Sequence, residues 1–147
     1  MKYDDASWHY GGDFPDDLPD EAGATHIAMF LAWAVLNGRA GELHLEDSGP
    51  ELEALRARSM TPVEFFLRMC DGKLTDEDFD EEGNAFAAAY FSRRESPCWL
   101  GDYELMVGQD LPSLYHVENS WQTYDLLAPF LDRRFAEWRE GRLGREP

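Results

Sequence analysis

Apolar side chains recur at helical spacing along most of this chain, and the pattern predicts a mainly α-helical fold. Between His26 and Arg39 no residue is charged, and apolar side chains cover every face of the stretch. A helix that is apolar on all sides is buried on all sides. We therefore predict a central buried helix over residues 25–37, capped by Thr25 and terminated by Gly38.

Other helices are marked by start signals and by the spacing of apolar residues. The sequence TPVE at residues 61–64 combines a capping box with proline at the first helical position. Thr75 is expected to cap a further turn, and Ser120 a long C-terminal helix. The remaining helical patterns cover residues 50–58, 81–92 and 99–107.

The sequence predicts few strands and no boundary between domains. Residues 41–45 alternate weakly and predict a short strand, and residues 111–117 predict a loop or another short strand. No linker or internal repeat separates domains. We expect a single compact multi-helix domain over residues 1–147, made of an N-terminal clasp, a helical body and a frayed tail, at 1–21, 22–140 and 141–147.

The N-terminal clasp is predicted to be irregular but ordered. Its glycine pair and its prolines interrupt regular structure. Its aromatic residues are nevertheless too apolar for a solvated tail, so we expect them to be buried against the helical body while the aspartates stay in water and cap nearby turns. These aromatic residues are Tyr3, Trp8, Tyr10 and Phe14.

The charge balance narrows the classes of partner. The chain has 30 acidic and 13 basic residues and a net charge of −17, which argues against nucleic acid and anionic membranes. The longest apolar run is about half of the roughly 20 residues that a membrane span needs. The two cysteines, Cys70 and Cys98, match no metal or disulfide spacing, and no signal peptide is visible. We expect free thiols in a cytoplasmic protein.

Two acidic segments favour a basic protein partner that the chain would bind without catalysis. They cover residues 13–21 and 76–82. The second segment does not fit the ligand spacing of a calcium loop counted from Asp71 or from Asp76, because glycine is missing at the sixth position. Electrostatic attraction would raise the rate of association. The acidic residues expected to contact the partner are Asp16, Asp17, Asp76, Glu77, Asp78, Asp80 and Glu81.

The clasp also offers an alternative, a pocket wall for a cationic or hydroxylated ligand of a small enzyme or ligand-binding protein. Asp4 belongs to this wall, and the segment at residues 114–116 and Trp121 repeat its residue types. His26 opens the buried helix and is expected to be structural. Nucleophile, phosphate-loop and dinucleotide motifs are missing, so no catalytic residue, cofactor or metal is predicted, although a zinc site built from distant histidines stays open. The candidate ligand-binding residues are Asp5, Trp8, His9, Tyr10, Asp13 and His116.

Four stretches carry a resemblance to a known family: YDDASWHYGGDFP, DEEGNAFAAAYF, LPSLYHV and YDLLAPFLDRRFAEW. With them the chain resembles an uncharacterised family of small bacterial proteins, a domain of unknown function. The resemblance covers nearly the whole chain and brings no activity with it. It implies a bacterial, cytoplasmic protein, and small acidic proteins of this kind are often immunity proteins or antitoxins that cap a toxin.

Overall fold

Helix α1 (Thr25–Leu36) lies at the centre of the fold, as its apolar faces predict. Eleven of its twelve residues are buried, and the ring of Phe30 contacts six other aromatic rings. The computed structural model describes residues 1–10 and 14–143. Within these residues, no helix has both the length and the hydrophobicity to cross a membrane.

Six further helices surround α1 in the described part of the chain, which confirms a single compact, mainly α-helical domain. Helices α5 and α6 each continue into a π-helical turn, at Ala87–Phe91 and Glu104–Gly108. Leu143 still packs against the core. The bounds of the surrounding helices are α2 Glu42–Asp47, α3 Gly49–Arg56, α4 Pro62–Cys70, α5 Glu81–Phe86, α6 Trp99–Tyr103 and α7 Trp121–Arg139.

Most of the predicted helix start signals are confirmed. The Thr61 hydroxyl accepts a hydrogen bond from the Glu64 amide, and the Glu64 carboxylate accepts one from the Thr61 amide, at 3.2 and 3.0 Å. The Ser120 hydroxyl caps α7 by accepting a hydrogen bond from the Thr123 amide at 3.1 Å. The prediction for Thr25 is wrong, because the chain enters α1 through a 3₁₀ turn at Asp20–Ala24 and Thr25 is already helical.

The strand predicted over residues 41–45 is also wrong, because this segment forms helix α2. In a helix, residues four apart lie on one face. His44 and Ser48 use this spacing: the His44 Nδ1 atom lies 3.0 Å from the Ser48 hydroxyl, and both side chains are buried. An extended backbone would not bring these two side chains together.

The clasp begins with a strand rather than with irregular chain. Strand β1 (Lys2–Asp5) pairs antiparallel with β2 (Lys73–Thr75), and this pair is the one sheet in the described residues. The pairing continues beyond the strand, since the Ala6 amide donates to the Gly72 carbonyl at 2.8 Å. Backbone hydrogen bonds to a segment some 70 residues away therefore hold the chain start in place.

Burial within the clasp follows the prediction only in part, since Tyr3 and Phe14 are half-buried and Asp16 and Asp17 are exposed. Asp4 and Asp5 are buried, whereas Trp8 and Tyr10 are 58% and 40% exposed. The alternation of a strand explains part of this difference, because β1 pairing fixes which side chains face the body. Each buried carboxylate is compensated by hydrogen bonds, as buried charges must be: Asp5, for example, accepts from both the amide and the hydroxyl of Ser7.

Candidate functional site

A cavity of about 560 Å³ opens between the clasp and helix α6. We call it the clasp cavity. Its polar side is formed by Asp4, His9 and His26, and Arg93, Arg94 and Glu104 contribute charge elsewhere on its lining. Cavities of this size, with apolar walls and a few convergent polar groups, are typical small-ligand sites. The apolar walls are formed by Tyr3, Trp8, Phe91, Trp99 and Leu100.

A hydrogen-bonded chain of three side chains runs along the polar side. The Nε2 atom of His9 lies 2.8 Å from Asp4 Oδ1, and its Nδ1 atom lies 2.8 Å from the Tyr115 hydroxyl. An ionised carboxylate only accepts hydrogen bonds, so His9 donates from Nε2 to Asp4 and its Nδ1 accepts from Tyr115. The orientation of the His9 ring is thereby fixed from both ends.

His26 lies beside this chain and lacks comparable partners. Its side chain is 2% exposed, and neither ring nitrogen has a hydrogen-bond partner among the described residues. The nearest polar atom of an ion-pair partner is Asp4 Oδ2, at 3.5 Å from Nε2, too far for a hydrogen bond of ordinary strength. The His26 ring meets the His9 ring edge-on, with centroids 4.5 Å apart. A buried imidazole without partners is costly for the fold.

The electrostatic environment sets the charge states of these groups. Burial alone would raise the pKa of Asp4, but the neighbouring His26 and His9 imidazoles hold that pKa well below its usual range. Burial lowers the pKa of His26, against the opposing effect of Asp4. At neutral pH the site therefore holds an ionised carboxylate beside a neutral His26.

A close backbone approach positions His9. Gly23, in the 3₁₀ turn before α1, packs directly against the clasp: a Cβ atom there would lie 3.2 Å from the His9 Cβ and 3.3 Å from the Ala6 carbonyl oxygen. Glycine permits this approach because it has no side chain. The turn that leads to His26 and the turn that carries His9 are thus packed together.

A second cluster, formed by His44, Cys70 and Asp78, lies between α2, α4 and the turn after β2, with the histidine and the aspartate buried and the cysteine half-buried. Asp78 Oδ1 accepts from His44 Nε2 at 2.8 Å and from the Cys70 thiol at 3.3 Å, and its Oδ2 accepts from the Thr75 amide at 2.8 Å. Burial, together with Asp78, raises the pKa of Cys70 far above its usual value. Each polar group here has a partner, so this cluster stabilises the fold as it stands.

The predicted ligand-binding residues lie in three different places. Trp8 and His9 line the clasp cavity, whereas Asp5 and Tyr10 line a separate depression beside residues 71–73. His116 lies outside the cavity and contacts Asp17 and Ser113, at 3.0 and 2.8 Å. The prediction for Asp13 lies outside the described residues.

The acids predicted to bind a protein partner differ in their exposure and in the contacts that they already make. Asp78 is buried and forms no part of an exposed surface. Asp76 pairs with the Met1 amine at 3.1 Å, and Asp80 accepts from the Gly83 amide at 2.7 Å. Asp17 pairs with His116, as described above. Both Asp17 and Asp76 are exposed despite these contacts, as are Asp16, Glu77 and Glu81.

Sequence reasoning missed most of the cavity lining. It interpreted His26 as structural, and among the described residues this histidine has no hydrogen-bond partner. It noted that residues 114–116 repeat the residue types of the clasp, and the two segments do meet, through the His9–Tyr115 contact. Trp121 takes no part, because its ring lies under the Arg58 guanidinium. No local signal pointed to the other lining residues, Phe91, Arg93 and Trp99.

Fold and site together define a small, mainly α-helical domain with a histidine-bearing cavity. A family model described as a domain of unknown function, DUF7832, matches residues 2–117, and the chain belongs to this family. The matched range includes every residue of the clasp cavity and Tyr115. Comparisons with curated proteins and with solved structures found no match.

Proposed function

We propose that the clasp cavity binds a small, mostly apolar ligand that forms a hydrogen bond with His26. The observation that carries this proposal is the state of His26, a buried imidazole that lines the cavity without a hydrogen-bond partner in the described residues. Buried polar groups are nearly always satisfied by protein, water or ligand. A ligand in the cavity would supply the missing partner.

The chemistry of the lining limits the class of ligand. Trp8, Phe91 and Trp99 offer aromatic surfaces, which favour a planar apolar body. A neutral imidazole has one donor and one acceptor nitrogen, and the lowered pKa of His26 keeps it neutral. A hydroxyl or amide group on the ligand satisfies either nitrogen without introducing a buried charge.

Fragment binding tests this proposal with probes that share one ring. Phenol and benzamide carry a hydrogen-bonding group and toluene does not, so we expect the first two to bind more tightly at millimolar concentrations. Chemical-shift changes in ¹H–¹⁵N spectra should centre on Trp99, whose indole N–H donates to the His26 carbonyl at 2.9 Å. A chelator in every sample removes metal ions as a variable.

Matched variants separate the cavity from the rest of the surface. His26→Leu should abolish the preference for phenol and benzamide over toluene, whereas His116→Ala, outside the cavity, should leave it unchanged. The proposal would be contradicted if His26→Leu left the preference for phenol and benzamide unchanged, or if the chemical-shift changes centred elsewhere on the protein.

A role in binding a basic protein stays a second proposal, immunity- or antitoxin-like in form. What supports it is the net charge of −17 together with two exposed aromatic side chains, Trp8 and Tyr10, of the kind that anchor protein interfaces. The exposed acids of the predicted set would steer such a partner by long-range attraction; they are Asp16, Asp17, Asp76, Glu77 and Glu81.

A further inference from the structure

We propose that Asp4, His9 and His26 bind a first-row divalent transition-metal ion at the polar side of the clasp cavity. One ligand atom from each residue lies within 4.8 Å of the others. Two imidazoles and one carboxylate are a ligand set that proteins use for zinc and for non-haem iron. This inference goes beyond the binding of an organic ligand, and the two proposals share His26.

Two of the three distances between ligand residues already lie near those of a metal centre. His9 Nε2 is 2.8 Å from Asp4 Oδ1, and His26 Nε2 is 3.5 Å from the other carboxylate oxygen, Oδ2. Bond lengths of about 2.0–2.2 Å to the ion place neighbouring ligand atoms roughly 3–3.5 Å apart. The His9–Asp4 contact therefore needs to widen by only a few tenths of an ångström, and the His26–Asp4 contact hardly changes.

Groups outside the three ligands hold them in position, as in established metal centres. The Tyr115 hydroxyl contacts His9 Nδ1, and the Asp5 amide donates to Asp4 Oδ1 at 2.7 Å. On metal binding the His9 proton moves from Nε2 to Nδ1, and the Tyr115 hydroxyl then accepts it instead of donating. Protons balance, because the imidazole changes its tautomer and stays neutral.

The cavity leaves room for further ligands on the ion. Asp4, His9 and His26 all line the cavity, so the cavity is the side from which water or a bound molecule would approach the ion. Three protein ligands with an open position are the arrangement of catalytic zinc sites. The unpartnered Nε2 of His26 gains a partner in the same step.

The buried cluster of His44, Cys70 and Asp78 is the competing location within the described residues, since its ligand atoms also lie close together. Its polar groups are already satisfied by one another and by Thr75, and it does not line the clasp cavity. It also contains a thiol, whereas the proposed site has only nitrogen and oxygen ligands. Spectroscopy distinguishes the two ligand sets.

Titration of the full chain with Co²⁺ tests the proposal, with excess Mg²⁺ present to occupy exposed carboxylates. We expect one ion per chain, visible ligand-field bands and no thiolate charge-transfer band in the near ultraviolet, with Zn²⁺ displacing the Co²⁺. His26→Leu and Asp4→Asn should abolish the bands. Tyr115→Phe should weaken Co²⁺ binding about 10- to 100-fold.

Control variants distinguish the proposed metal site from the other cluster and from the protein surface. Cys70→Ser and His116→Ala should leave Co²⁺ binding unchanged, and circular dichroism should show that all variants are folded. A thiolate band that disappears in Cys70→Ser would show that Co²⁺ binds at the cluster of His44, Cys70 and Asp78 instead. Co²⁺ binding that survives His26→Leu would show that the ion binds to surface carboxylates. Either result would contradict the proposal. Absence of binding would overturn this inference, while phenol binding in chelator would still support the cavity as an organic-ligand site.

Discussion

Two equally buried histidines should respond in opposite ways to the same substitution. His26 and His44 are 2% and 0% exposed, but His44 has a partner on each ring nitrogen and His26 has none in the described residues. Leucine is close to histidine in volume and has no polar atoms. We predict that His26→Leu stabilises the fold and that His44→Leu destabilises it.

The magnitudes follow from what each substitution leaves behind. A buried polar group without a partner costs about 1–3 kcal/mol, and removing His26 recovers part of this cost. Asp4 loses a weak contact at 3.5 Å but keeps its bonds to His9 and to the Asp5 amide, so we expect a net gain of about 1 kcal/mol. His44→Leu leaves the buried Asp78 carboxylate without its imidazole, which costs about 3–5 kcal/mol.

Urea unfolding of the two variants, in the presence of a chelator, measures this difference. With a slope of about 2 kcal/mol per molar urea, the midpoint should rise by about 0.5 M for His26→Leu and fall by about 2 M for His44→Leu. If His26→Leu lowered the free energy of unfolding as much as His44→Leu does, His26 would have a structural role and the reasoning behind the cavity proposal would fail.

Three further predictions concern the fold and its charge. In Gly41→Ala, the new Cβ would overlap the Glu77 carbonyl oxygen, so the free energy of unfolding should fall by about 3 kcal/mol. Gly49 has open space around it, so Gly49→Ala should change that free energy by less than about 1 kcal/mol. Calorimetry of both variants measures the difference. Burial raises the pKa of Tyr90, and it raises that of Tyr124 to about 12. The free energy of unfolding should therefore keep the full contribution of these tyrosines below pH 10 and should fall as the pH rises further. Their tyrosinate absorbance should rise only above that pH, and ordinary titration near pH 10 would count against their burial. For a basic protein partner, stopped-flow association should slow at least about tenfold between 0.01 and 0.15 M salt, as the screening length falls from about 30 to about 8 Å; a rate indifferent to salt would exclude steering.

Local signals predicted the parts of the fold that local physics determines. The capping box at Thr61 and the apolar faces of α1 depend on neighbours in sequence, and both are found where expected. Strand β1 and the burial of Asp4 depend on β2, some 70 residues away, which no local pattern reveals. The surroundings of His26 escaped prediction for a related reason, because they depend on which side chains of the described residues lie near its ring nitrogens after folding.

The pairing of β1 with β2 has a consequence for occupancy of the clasp cavity. Asp4 lies on β1 and His9 follows it closely, so the polar side of the cavity exists only while this short strand is docked. A short strand that pairs with a single partner strand opens locally more readily than a core. A ligand or ion present at 100 times its dissociation constant would stabilise the closed form by about 2.7 kcal/mol, and amide hydrogen exchange at residues 2–5 would slow by about a hundredfold. Exchange at the chain start is thus a reporter of whether the cavity is filled.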